Sequence, residues 1–92
     1  MTFNISNYSF AKAKILNVDI KPSKYKNKKI DVYKNNIFIC SIGDIRYLDY
    51  PTYLTTHNKE YAEERRRLYK LRNNKDIDKI GSAGYYAFHI LW

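Results

Sequence analysis

Lys29–Asp44 reads KIDVYKNNIFICSIGD, and how this stretch is read decides the fold. Ile30, Val32 and the run from Ile37 to Ile42 are β-branched or aromatic, the side chains that suit a pleated, half-buried surface. Asn35-Asn36 stands between the two runs, and asparagine tolerates the positive φ that a tight hairpin turn requires. The spacing predicts strands at about 29–34 and 37–42, with Gly43-Asp44 closing the second.

Upstream, Lys14–Ile20 (KILNVDI) sets Ile15 and Asn17 against Leu16, Val18 and Ile20, which predicts a further strand at about 14–20, stopped by Pro22 and Ser23. Downstream, Ile45–His57 (IRYLDYPTYLTTH) contains Pro51, which argues against continuous helix or strand and predicts a packed connection. Its Tyr47, Tyr50 and Tyr53 either lie over the sheet or stack on bases.

From Asn58 the periodicity turns helical. NKEYAEERRRLYKLRNN has Thr56 or Asn58 as candidate N-caps, Glu60, Glu63 and Glu64 early, Lys70 and Arg72 late, and Asn73-Asn74 as a stop. A helix over about 58–73 follows, with Tyr61, Ala62, Leu68 and Tyr69 on one stripe and Arg65 and Arg72 projecting from its middle. These two arginines either snorkel toward a carboxylate such as Asp44 or Asp49, or form a fork for phosphate or carboxylate. Arg66, Arg67 and Lys70 fall on the outer face. Finally, Gly81–Trp92 (GSAGYYAFHILW) is apolar all round, with Ser82 as a candidate N-cap. It reads as a helix with Tyr85, Phe88, His89 and Trp92 on one side or as a strand with Tyr86, Phe88, Ile90 and Trp92 on one face, and the expectation taken is a short helix packed on the sheet. Burying such side chains contributes about 1.5–3 kcal/mol each, so the segment is expected to be covered. The fold class is α+β: a small antiparallel sheet, a central basic helix and an aromatic C-terminal element.

At 92 residues the chain is one domain, and 45% apolar with 16% aromatic content excludes a disordered chain. The single cysteine, Cys40, excludes an internal disulfide, offers no zinc spacing and reads as a small core hydrophobe. There is no basic start followed by an apolar run, and no apolar stretch of about 18 residues. The expectation is a protein kept inside a cell, with no membrane partner. His57 and His89 are the only histidines, and neither has a second ligand or base at a recognised spacing. His57 reads as a capping or hydrogen-bonding residue and His89 as a packed one. No glycine-rich phosphate loop or nucleophile elbow occurs. No catalysis, cofactor, metal or small-molecule substrate is therefore expected.

Charge is the strongest remaining clue. The net charge is +8, and residues 1–34 hold eight lysines against Asp19 and Asp31. Such an excess favours polyanions.

Four segments, IGDIRYLDY, THNKE, RRLYKLRN and SAGYYAFHILW, resemble a family of small, basic, largely uncharacterised proteins of giant DNA viruses and some large phages. Gly43, Asp49, Tyr50, His57, Arg66, Tyr69, Arg72, Ser82, Ala83, Gly84, Leu91 and Trp92 fall on the family pattern, which covers roughly residues 29–92. Extra residues stand between Tyr50 and His57, Asn73 replaces a common histidine, and residues 1–28 look like an N-terminal addition or arm. The resemblance implies a viral origin and a role in the virion, on the viral genome or in host takeover. The host cytoplasm or nucleus during infection, and the virion, are the implied locations.

Together these readings predict a non-enzymatic binding protein whose partner is nucleic acid, DNA before RNA, or a viral structural protein. The expected contacts are Lys21, Lys24, Tyr25, Lys26, Lys28 and Lys29, with Arg65, Arg66, Arg67, Lys70 and Arg72 as a second cluster. Lysines supply phosphate contacts without sequence choice, and a tyrosine among them stacks on an unpaired base. The competing expectations are a minor capsid or cementing protein, and an inhibitor of a host enzyme or defence system.

Overall fold

A computed structural model describes residues 3–92. The hairpin forms as its residues dictate. Strands β2 (Lys28–Lys34) and β3 (Ile37–Asp44) pair antiparallel around Asn35 and Asn36, both at positive φ (52° and 65°). That left-handed pair is the turn whose twist matches the strands. A register shift between Val32 and Tyr33 brings Tyr33 opposite Phe38.

The strand expected at 14–20 is not there. Residues Asn7–Ile15 form helix α1, and the strand, β1, runs Asp19–Pro22 along the free edge of β2. Ser6 caps α1 by accepting from the Ser9 N–H at 3.1 Å. The apparent alternation at 15–18 belongs to a helix end. Asn17 adopts φ 61°, the Val18 N–H reaches the Ala13 carbonyl at 3.1 Å, and the Asn17 N–H reaches that of Lys14 at 3.1 Å. This is the Schellman arrangement, with its hydrophobic contact supplied by Ala13 and Val18. Pro22 is tolerated as the last residue of an edge strand, where no ladder N–H is needed. Residues 7–20, read as part of an addition, thus supply Ser9, Ala13, Val18 and Ile20 to the interior.

The connection after β3 also differs from expectation, because Tyr50–Thr56 form helix α2. Pro51 sits in its first turn, where the missing N–H has no intrahelical partner to lose. Asp49 accepts from the Thr52 N–H at 3.0 Å as the cap. Helix α3 spans Lys59–Arg72 with Asn58 as its cap, followed by a 3-10 turn at Asn74–Asp78. Helix α4 spans Ala83–Ile90 with Ser82 as its cap. These agree with the reading of both segments, and the architecture is α+β.

Helices α1 and α4 cover one face of the sheet. Ile20, Ile30, Val32 and Ile42 meet Ala13, Tyr86, Ile90 and Leu91 in the main core. A smaller core holds Tyr50, Tyr53 and Ala62. Trp92 packs against both, stacked on Tyr69 at 4.4 Å between ring centroids, and its carbonyl accepts from Tyr8 Oη at 3.1 Å. Ser9 Oγ donates to the Ile90 carbonyl at 2.9 Å. The aromatic end of the sequence is therefore interior.

One ion pair joins the hairpin to α2. Lys29 Nζ lies 2.8 Å from Asp49 Oδ2, with side chains only 5% and 1% exposed. Removing one partner of a buried pair strands the other charge and costs about 3–5 kcal/mol. Lys29→Met is expected to lose about that much in urea unfolding, whereas Lys26→Met, at an exposed position, changes stability by less than about 0.5 kcal/mol. Equal midpoints for the two variants would refute the role given to Lys29.

Candidate functional site

The helices leave the Tyr33–Phe38 end of the second sheet face open, while Lys29 at its other end is buried against Asp49. The registers place Lys21, Asp31 and Ser41 in one row across the strands, and Asp19, Tyr33 and Phe38 in the next. Tyr25, from the β1–β2 loop, joins the second row. Its ring lies 5.6 Å from Phe38, and Phe38 lies 5.7 Å from Tyr33. Tyr25 and Phe38 are 48% and 41% exposed, so these rings are held in place without being buried. Lys21 Nζ stands 5.1 Å from the Tyr33 centroid and Lys24 Nζ 5.7 Å from that of Tyr25. Exposed Lys26 and Lys28 continue the positive rim, and exposed Asp19 is the acid that subtracts from it.

What holds Tyr25 on the sheet is a buried carboxylate. Asp31, 1% exposed, accepts from Ser23 Oγ at 2.6 Å, from Ser41 Oγ at 2.5 Å and from the Lys24 N–H at 3.3 Å. Ser23 Oγ in turn accepts from the Tyr25 N–H at 3.0 Å. Burial is the largest single influence on Asp31 and opposes its ionisation. The serine hydroxyls, the Lys24 N–H and the Lys24 charge together outweigh it and hold the carboxyl below its ordinary value. Asp31 thus fixes the basic loop to the strands, and its own charge is consumed inside.

The residues expected to contact a partner separate into distinct groups. Lys21, Lys24, Tyr25, Lys26 and Lys28 share the open face or its rim. Lys29 does not: it is 4% exposed and spent on Asp49, so it is removed from the expected contacts. On α3, Arg66 pairs with Glu63 at 2.7 Å and lies 3.9 Å from the Tyr50 ring centroid, while Tyr50 Oη donates to Glu63. Arg67 pairs with Glu64 at 2.6 Å. Neither is simply solvated, because each carries its own counter-charge one turn earlier. Lys70 lies 5.4 Å from the Phe88 centroid, and burial together with Arg66 and Lys12 lowers its pKa. His89 is pushed down by burial, Lys12 and Lys70.

Arg65 and Arg72 line a common cleft with Lys28, Tyr53, Tyr69 and Trp92. Neither reaches Asp44 or Asp49, the carboxylates expected for them, since Asp44 binds Arg46 at 2.6 Å and Asp49 binds Lys29. Tyr50 and Tyr53 are interior, whereas Tyr47 is exposed. His57 stacks on Tyr61 at 4.5 Å and its Nδ1 lies 2.8 Å from Thr56 Oγ1. Burial, and then the Asp31 charge, raise the Cys40 thiol pKa. Among the described residues, no three His, Cys, Asp or Glu side chains gather as a metal site. No described helix is long and apolar enough to cross a membrane.

Sequence reasoning missed Tyr33 and Phe38. Their signal was present, since both flank the Asn-Asn turn, but the register shift that aligns them is not encoded in the alternation of either strand. Comparison with family models, curated proteins and solved structures gives no match.

Because the native pKa of Asp31 is depressed, its stabilisation is complete above about pH 4, the unfolded value, and is lost as pH falls through the native one. Asp31→Asn is expected to cost about 1–3 kcal/mol at neutral pH. The gap to wild type should close as urea midpoints are followed from about pH 6 down to about pH 2.5. A gap that stays constant over that range would show that the carboxylate charge does not act as described.

Proposed function

We propose that the chain is a non-enzymatic binding protein that takes single-stranded nucleic acid on the open face of its sheet. The carrying observation is the row Tyr25, Phe38 and Tyr33, spaced 5.6 and 5.7 Å between centroids, with Lys21 and Lys24 standing at its rings. Every base has a flat face, so exposed aromatic side chains accept bases in succession, and neighbouring lysines neutralise the phosphates between them. A duplex hides its base faces in the stack and offers nothing to such a row. The chemistry therefore selects unpaired strands, and because lysine contacts to phosphate carry no sequence information, little sequence preference is expected.

The resemblance to giant-virus proteins supplies the setting for this reading: a genome- or virion-associated role, with DNA as the first partner to test. A cementing role on acidic coat proteins draws on the same lysines, but it gives the aromatic row no task.

Binding of single-stranded oligonucleotides, followed by fluorescence anisotropy, is expected to weaken with salt. The logarithmic slope should be about −2 to −3, as three to four phosphate contacts on a single strand require. Phe38→Ala and Tyr25→Ala should each reduce affinity by about tenfold, from the stacking lost per base. Lys21→Ala and Lys24→Ala should flatten the slope. Duplex bound as tightly as single strands, or Phe38→Ala binding like wild type, would defeat the proposal. Polyglutamate displacing the oligonucleotide at equal charge would favour the acidic-protein reading.

A further inference from the structure

Arg65 and Arg72 open onto a cleft of about 420 Å³ between the β3–α2 turn, α3 and the end of α4. That volume lies within the range of small-molecule sites, roughly 300–1,000 Å³. Its walls divide by chemistry. Tyr53, Tyr69 and Trp92 supply aromatic surface, and Tyr69 and Trp92 lie nearly parallel, 8° apart and stacked face to face, so the pair offers a ligand only its outer surface. Arg65 and Arg72 supply charge that forms no ion pair with a carboxylate among the described residues, since both acids at the cleft are committed to Lys29 and Arg46, and Lys28 adds a cation opposite Asp44.

Arg65 is half-buried at the wall of the cleft. Its Nε is buried and has no hydrogen-bond partner, the only such side-chain atom among the described residues. Snorkelling accounts for the stem, whose guanidinium carbon lies 5.8 Å from the Tyr53 ring centroid, but it leaves that donor unmet. That atom is closed to solvent and so to a ligand in the cleft, which leaves the outer guanidinium nitrogens for an anion, and Arg65 forms no ion pair among the described residues that would occupy them. Guanidinium groups bind phosphate oxygens bidentately, and a flat aromatic wall suits a flat ring.

We propose that this cleft binds a phosphate monoester carried on a planar ring, with Arg65 and Arg72 holding the phosphate and the Trp92–Tyr69 wall holding the ring. A free nucleoside monophosphate and the 5′-phosphorylated end of a strand present the same chemistry. Arg65 and Arg72 are not part of the aromatic sheet row and Lys28 is the residue the two surfaces share, so variants of the arginines and of Phe38 report on the two sites separately.

The test is calorimetric titration of the whole chain with adenosine 5′-monophosphate and with adenosine. Emission from Trp92, the only tryptophan, gives a second readout inside the cleft. The monophosphate is expected to saturate the site and to bind at least about tenfold tighter than adenosine. Arg65→Gln and Arg72→Gln should each weaken it by about tenfold or more, whereas Arg67→Gln, whose arginine is paired with Glu64, should leave it unchanged. Arg65→Lys keeps the charge and the stem, so a loss of affinity in that variant separates the missing fork from any failure to fold. Phe38→Ala should not alter monophosphate binding even where it abolishes strand binding. Paired 5′-phosphorylated and 5′-hydroxyl octamers assign the source: a preference for the phosphorylated octamer that Arg65→Gln removes identifies a strand end, and its absence with monophosphate still bound identifies a free nucleotide. Adenosine binding as tightly as its monophosphate, no saturation by either phosphate-bearing probe, or full affinity in both glutamine variants would overturn the proposal.

Discussion

The buried pair of Lys29 and Asp49 is the constraint on which the arrangement of the molecule depends. Asp49 serves two elements with its two oxygens: Oδ2 meets Lys29 on β2 at 2.8 Å, and Oδ1 accepts the Thr52 N–H that starts α2 at 3.0 Å. Two charges taken from water recover their desolvation only in good geometry, so the pair specifies position more than it adds net stability. It fixes where α2 begins relative to the hairpin. Gly43 is the companion requirement, since its φ is 77° and a Cβ there would stand 2.8 Å from Leu91 Cδ1 and 2.9 Å from Lys29 Cδ. Any side chain at that point would push apart the lysine and the C-terminal segment that close over each other.

From that junction the C-terminal segment reaches both cores. The Leu91 carbonyl accepts from the Tyr50 N–H at 3.1 Å, which ties the end of α4 to the start of α2, while Leu91 itself lies in the sheet core. Trp92 then bridges toward Tyr53 and Tyr69. Helix α1 closes the arrangement from the other side through Ser9 and Tyr8, whose partners are the carbonyls of Ile90 and Trp92. The stacking of α3 against this tail sets the cleft, so the same aromatic packing that stabilises the fold also places Arg65 and Arg72.

Where a local signal was enough, the sequence could be read directly. Asn35-Asn36, the caps Asn58 and Ser82, and the charge order of α3 each act within a few residues, and each element formed as they indicate. The misreadings share a cause. Leu16, Asn17 and Val18 alternate like a strand because a Schellman end also turns successive side chains to different sides, and only the αL residue at Asn17 tells the two apart. Pro51 breaks a helix interior but suits a first turn, and the difference rests on Asp49 being free to cap. Lys29 looked like one of a run of surface lysines, because nothing local reveals that a carboxylate twenty residues later will bury it. Tyr33 and Phe38 needed the register shift of the hairpin to become a row.

The distribution of charge, more than its total, distinguishes one surface from another. Helix α3 is the most basic element, yet Arg66 and Arg67 are answered by Glu63 and Glu64 one turn before them. Exposed pairs of that kind contribute little to stability, but they lower the potential that an incoming phosphate meets. In the β1–β2 loop the order is reversed. Asp31, the acid nearest the lysines, is drawn inward and spent on two hydroxyls and a backbone N–H, so Lys24 and Lys26 face solvent without an exposed acid beside them. A buried anion that anchors a basic, tyrosine-bearing loop leaves that loop both held in place and positively charged, the two properties on which the proposed strand binding rests. That combination, and not the net charge of +8, separates the open sheet face from the rest of the surface.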